Sequence, residues 1–150
     1  MGNTYAKLYI HIVFAVKNRE SVLDEAWREG LFQYIGGVIR QNNQTPIIIG
    51  GWRDHIHILL GGNASINIAA LVRSIKLASH KWIEQKICHG FAWQDGYGCF
   101  SVSATHLDAV RNYIANQDRH HSAIGVDDEF RQLLVRNNIG YDERFLPVPE

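Results

Sequence analysis

One hundred and fifty residues with 46% apolar content suit one domain with its own core and exclude intrinsic disorder. Fifteen basic residues balance fifteen acidic ones, so the chain lacks the basic excess of a duplex-coating DNA binder. No apolar run approaches the ~18 residues of a membrane span, and Cys88 and Cys99 make neither a disulfide framework nor a zinc quartet.

In chain order, Leu8–Val16 alternates Leu8, Ile10, Ile12 and Phe14 with Tyr9, His11 and Val13, which predicts a central strand covered on at least one face. Asp24–Asn42 spaces Trp27, Leu31, Tyr34 or Ile35, and Val38 as one helical stripe. Ile47–Ile49 opens a β-branched strand, and Gly50-Gly51 reads as a turn or bulge after it. His55–Leu60 is the next strand, closed by Gly61-Gly62. Ser65–Lys86 is a long helix with Leu71, Ile75, Ala78 and Trp82 on one stripe, and Tyr97–Ser103 is a fourth strand. Thr105 reads as an N-cap of a helix running to about Arg119, and Asp127–Asn137 as a last helix with an acidic N-terminus. The first six elements spell β-α-β-β-α-β. The expected fold is α+β, a ferredoxin-like (RRM-like) antiparallel sheet in a single domain over 1–150, with two extra C-terminal helices, the first carrying Tyr113.

Two groups of residues carry chemistry. On a strand, positions i and i+2 share a face, so His55 and His57 project together while Ile56 points the other way. Neighbouring neutral imidazoles make half of a metal site, and Asp54 is placed to orient one ring. Tyr113 and Gln117 are four apart on the predicted helix and therefore share a face. The amide oxygen of Gln117 suits a hard cation such as Mg²⁺ or Mn²⁺. Two imidazoles and an amide leave metal positions open for substrate oxygens, unlike a closed structural zinc site. An open site beside a tyrosine points to phosphoryl transfer with the phenol as nucleophile.

Taken with their neighbours, these residues resemble a known family. The pieces are the opening strand, Asp54-His55-Ile56-His57-Ile58-Leu59-Leu60, Leu71-Val72-Arg73-Ser74-Ile75-Lys76, Trp93–Ser103, and Asn112-Tyr113-Ile114-Ala115-Asn116-Gln117-Asp118-Arg119-His120-His121. In this order and across most of the chain, the sequence is similar to the single-tyrosine HUH transposases, the small bacterial insertion-sequence and REP-associated tyrosine transposases. The resemblance implies His55, His57 and Gln117 as ligands of Mg²⁺ or Mn²⁺. It implies Tyr113 as the nucleophile that forms a 5′-phosphotyrosyl link to single-stranded DNA, later rejoined to another 3′-hydroxyl. It also implies a cytoplasmic bacterial or archaeal homodimer, with no membrane partner, acting on strands with imperfect hairpins. In some members of that family the tyrosine helix completes the partner subunit's site. The alternative is a domesticated or inactive relative that only binds single-stranded DNA or RNA. The chain departs from the family pattern in carrying Arg53 where a proline is common, and in its neutral charge.

The charge is nevertheless uneven. Gly30–Gln94 holds six basic residues against two acidic ones, and Asp127–Glu150 three against six. Arg73, Lys76 and His80 lie at i, i+3 and i+7 of the long helix, where they can follow a phosphate backbone, with Lys76 foremost and Arg53 a further phosphate contact. Trp93, Tyr97 and Phe100 could stack bases but read first as core or dimer contacts, and His120-His121 as a helix-end pair. No role is expected for His11, His89 or His106.

Overall fold

Four strands, β1 (Leu8–Ala15), β2 (Thr45–Gly51), β3 (His55–Gly62) and β4 (Gly98–Val102), form one sheet in the order β2-β3-β1-β4 in a computed structural model that describes residues 2–117 and 125–140. Every neighbouring pair is antiparallel. Helices α1 (Glu25–Gln41) and α2 (Ile68–Lys86) are interleaved with the strands, giving β-α-β-β-α-β along the chain. Two helices follow, α3 (Leu107–Ala115) and α4 (Val126–Arg136). The α+β class and element order are those expected from the sequence.

The sheet is covered on both faces, and strand parity divides its side chains between them. Ile10, Ile12 and Phe14 of β1 and Ile56, Ile58 and Leu60 of β3 enter the main core with Leu31, Ile35 and Ile39 of α1 and Leu71 and Ile75 of α2. The alternate residues, His11, Val13 and Ala15 of β1 with His55 and His57 of β3, turn to the other face and are all buried. There Val13, Ala15 and Phe100 pack against Phe130, Leu133 and Leu134 of α4. Double coverage explains why β1 and β3 read as almost continuous apolar runs.

Several boundaries differ from the sequence reading. Gly50-Gly51 is neither turn nor bulge but paired strand, opposite His57 and Ile56. The β2 irregularity falls earlier, between Pro46 and Ile48, where proline cannot donate to the ladder. Gly61-Gly62 likewise belongs to β3. Helix α2 begins at Ile68 because the Asn67 side chain caps it, accepting from Ala70 N at 3.1 Å. Ala104–His106 forms a 3-10 turn before α3, and the Thr105 hydroxyl bonds Ser103 rather than capping the helix. Helix α3 ends at Ala115, with Asn116 leaving helical geometry (φ −107°, ψ 28°). Gln117 is helical again, and the rest of the expected continuation, residues 118–119, lies outside the described residues.

One row across the sheet has a special composition. Gly50, His57, Val13 and Gly98 are successive partners on β2, β3, β1 and β4. A Cβ at Gly50 would stand 2.6 Å from Ile114 O on α3, and one at Gly98 2.9 Å from the Phe130 ring on α4. The bare edge positions let both C-terminal helices close over His57. Gly50→Ala is therefore expected to overpack the α3 contact at a cost of about 1–3 kcal/mol, lowering the melting temperature by several degrees. The control is Gly37→Ala in α1, where a Cβ meets nothing within 4 Å and the better helix former should hold or raise it. Thermal melts of the two variants check this.

Candidate metal and nucleophile centre

Parity on β3 brings the two imidazoles to the face beneath α3 and α4, as the sequence predicts. His55 and His57 are both fully buried. Their ring centroids lie 5.1 Å apart. His55 Nδ1 donates to Asp54 Oδ1 at 2.8 Å, which directs Nε2 into the site. His57 is held by a residue that the sequence gave no role: His11 Nε2 and His57 Nδ1 are hydrogen-bonded at 2.8 Å, and the rings stack. His11 sits one strand over, and only the β1–β3 register brings it there.

Tyr113 reaches the same centre within one chain. Its ring meets that of His57 edge-on, centroids 5.5 Å apart. Gln117, one residue past the helix cap, is buried too. Its Oε1 lies 3.2 Å from His55 Nε2 and its Nε2 donates to Tyr113 O at 3.3 Å. The residues singled out for chemistry thus converge, although a one-residue break at Asn116 separates Gln117, itself helical, from α3.

At the middle stands a residue that sequence reasoning missed. Glu129, in the first turn of α4, is only 1% exposed. Its Oε1 accepts from His57 Nε2 at 2.9 Å and lies 3.2 Å from His55 Nε2. Its Oε2 accepts from the Tyr113 hydroxyl and, at 3.4 Å, from Gln117 Nε2. An acidic residue in a first helical turn ordinarily answers the helix dipole. The signal that marks Glu129 is its place on the apolar stripe of Phe130, Leu133 and Leu134, where an acid needs partners.

The electrostatics follow from this packing. Burial favours the neutral form of His55, but the hydrogen bonds and charges of Asp54 and Glu129 outweigh it and lift its pKa to about 9. Burial, with the neighbouring His57, lowers His11 to about 3 against the pull of Glu129. Burial, then the charge of Glu129 and its hydrogen bond, holds the Tyr113 phenol above its ordinary range, with Gln117 working the other way.

The donor set fits a divalent cation. One ligand atom each from His55, His57 and Glu129 lies within 4.8 Å of the others, all three residues are buried, and two imidazoles with a carboxylate suit a transition or hard divalent ion. A cation bound there would take the place of the proton on His55 Nε2.

The expected phosphate contacts lie elsewhere. Arg53 and Arg73 are exposed, Arg53 over the Trp52 ring. Lys76 is half-buried and donates to Gln94 O and Gly96 O at 2.9 and 2.7 Å, fastening the segment before β4. Trp93 and Phe100 are buried, Trp93 donating to Ser79 Oγ at 2.9 Å. His120-His121 lie outside the described residues.

Comparison with known proteins gives four findings. The pattern of the family described as transposase IS200 like matches residues 4–117. The ISDra2 transposase TnpA of Deinococcus radiodurans is 26% identical over 118 residues, 74% of this chain and 84% of its own. A crystal structure of a protein described as a transposase from Deinococcus radiodurans R1 superposes with a TM-score of 0.63 at 26% identity, covering 78% of this chain and 96% of that one. A REP-associated tyrosine transposase solved with a REP hairpin has the same fold, with a TM-score of 0.62 at 16% identity over 83% of this chain and 74% of that one.

Proposed function

The chain belongs to the IS200-like transposase family, and from that membership we propose that it cuts and rejoins single-stranded DNA with Tyr113 as the nucleophile. The carrying observation is that the Tyr113 hydroxyl and both buried imidazoles meet on one carboxylate inside a single chain.

His55, His57, Gln117 and Oε1 of Glu129 would hold the cation, Mg²⁺ or Mn²⁺, which would polarise the scissile phosphate. Asp54 fixes the ring of His55, and His11 that of His57, so neither imidazole must reorganise when substrate arrives. The phenol attacks phosphorus, and a 5′-phosphotyrosyl link forms as the 3′-hydroxyl leaves. The link conserves the energy of the phosphodiester, so a 3′-hydroxyl can displace the tyrosine later without a nucleotide cofactor. One chain supplies every member of the set, which supports a reading in which the phenol acts within its own subunit. A homodimer, in which the tyrosine helix can act in its own or the partner's site, remains part of the proposal.

Arg53 and Arg73 present exposed guanidinium groups to the backbone of the strand, while Lys76 offers the one N–H not given to Gln94 and Gly96. Hairpin-bearing single strands are the proposed substrate, supported by the REP hairpin on the structural relative. Residues 1–150 work as one catalytic unit, since Glu129 lies beyond the span matched by the family pattern. No described helix is long and apolar enough to cross a membrane. The deciding experiment is reaction with single-stranded oligonucleotides and Mn²⁺ followed by peptide mass spectrometry. A nucleotide on Tyr113 is expected, and reversible binding without an adduct leaves a binding module instead.

A further inference from the structure

We propose that Glu129 is the base of the reaction, accepting the phenolic proton of Tyr113 as its oxygen attacks phosphorus. This rests on the reading of Tyr113 as nucleophile and adds a catalytic residue outside the family-matched residues 4–117.

Glu129 Oε2 already accepts the Tyr113 hydroxyl hydrogen, so the proton lies along the transfer path before substrate arrives. Among the described residues, the other groups around it are poor substitutes. His57 is bonded at Nδ1 by His11 and turns Nε2 toward the cation position. Asp54 lies behind His55, on its Nδ1 side. Gln117 carries a neutral amide that cannot take a proton. The carboxylate divides its two oxygens between two tasks, Oε1 facing both imidazoles and Oε2 the phenol. Its helix is fixed in place by Phe130, Leu133 and Leu134 on the sheet face, so the carboxylate is delivered by packing rather than by a mobile side chain.

The step balances without any redox partner. The Tyr113 oxygen–phosphorus bond forms, the phosphorus–O3′ bond breaks, the phenolic proton passes to Glu129 Oε2, and the departing 3′ oxygen takes a proton from water. In rejoining, a 3′-hydroxyl loses its proton to water and attacks, the tyrosyl–phosphorus bond breaks, and Glu129 returns the proton to the phenolate.

The test uses the full chain, saturating Mn²⁺ and the most reactive oligonucleotide that the wild type recovers from a random single-stranded pool. Glu129→Gln preserves shape but not basicity and is expected to slow adduct formation by about 10²- to 10⁴-fold. Calorimetry should still find one Mn²⁺ per chain. Glu129→Ala is expected to regain rate as formate is added, a response that a purely structural acid would not give. A Gln variant within about threefold of wild type overturns the proposal. So does full recovery of its rate at raised Mn²⁺, which makes Glu129 a ligand only, and so does an Ala variant deaf to formate. If the wild type itself forms no adduct, the reading of Tyr113 fails instead, and the two failures are distinct.

Discussion

Tyr113→Phe is expected to abolish the covalent protein–DNA adduct while leaving the fold in place. Phenylalanine keeps the ring that meets His57 edge-on at 5.5 Å, so the packing of α3 beside the imidazoles is retained. What goes is the hydroxyl and its bond to Glu129. Glu129 keeps Gln117 and His57 as partners, which limits the stability loss to roughly 1–3 kcal/mol. The catalytic loss is of another order. Removing the nucleophile of a covalent mechanism costs roughly 10⁴-fold or more, and no described neighbour offers a substitute hydroxyl in the site. A denaturing gel measures the adduct and the cut strand together. If cutting persists without an adduct, water is the attacking group and the protein is a metal-dependent hydrolase.

The same geometry explains which parts of the molecule could be read in advance. Chemistry carried by short spacing was legible. His55 and His57 had to share a face because strand parity is fixed at two, and the alternation around Ile12 and Ile58 made both strands plain. Tyr113 and Gln117 were legible as a pair through spacing alone, though the helix ends between them at Asn116. Features that depend on register between distant segments were not. His11 reads as one more strand residue until β1 is set against β3. Gly50 looks like turn punctuation, and Gly98 like one more strand residue, until Ile114 and Phe130 are laid against them. Lys76 reads as the foremost phosphate contact, and nothing in its spacing announces the two carbonyls that the chain before β4 turns toward it. Glu129 was hidden most thoroughly, because two other acids, Asp127 and Asp128, stand beside it and all three suit a helix N-terminus. Only tertiary packing separates the one that turns inward.

His57→Ala is expected to cut strand cleavage by about 10³-fold while changing single-strand affinity by less than about threefold. A transition-state interaction lost without a ground-state one lowers the rate constant and leaves binding alone. His57 occupies the position for such a split. It is fully buried, and its described partners include His11, Glu129 and the Tyr113 ring, whereas Arg53 and Arg73 are exposed. Its loss removes a cation ligand and leaves a cavity between His11 and Glu129, for which about 2–4 kcal/mol of stability is the expected cost. A thermal melt shows whether the variant is folded at the assay temperature, and fluorescence anisotropy with a labelled oligonucleotide reports affinity. Single-turnover cleavage with Mn²⁺ gives the rate, and calorimetry gives the lost metal affinity directly. Arg73→Ala supplies the contrast, since an exposed cation on α2 should weaken strand binding and its salt dependence while the rate at saturating DNA holds. Equal losses of binding and cleavage in His57→Ala would place the imidazole pair on the strand's general path and remove it from the reacting phosphate.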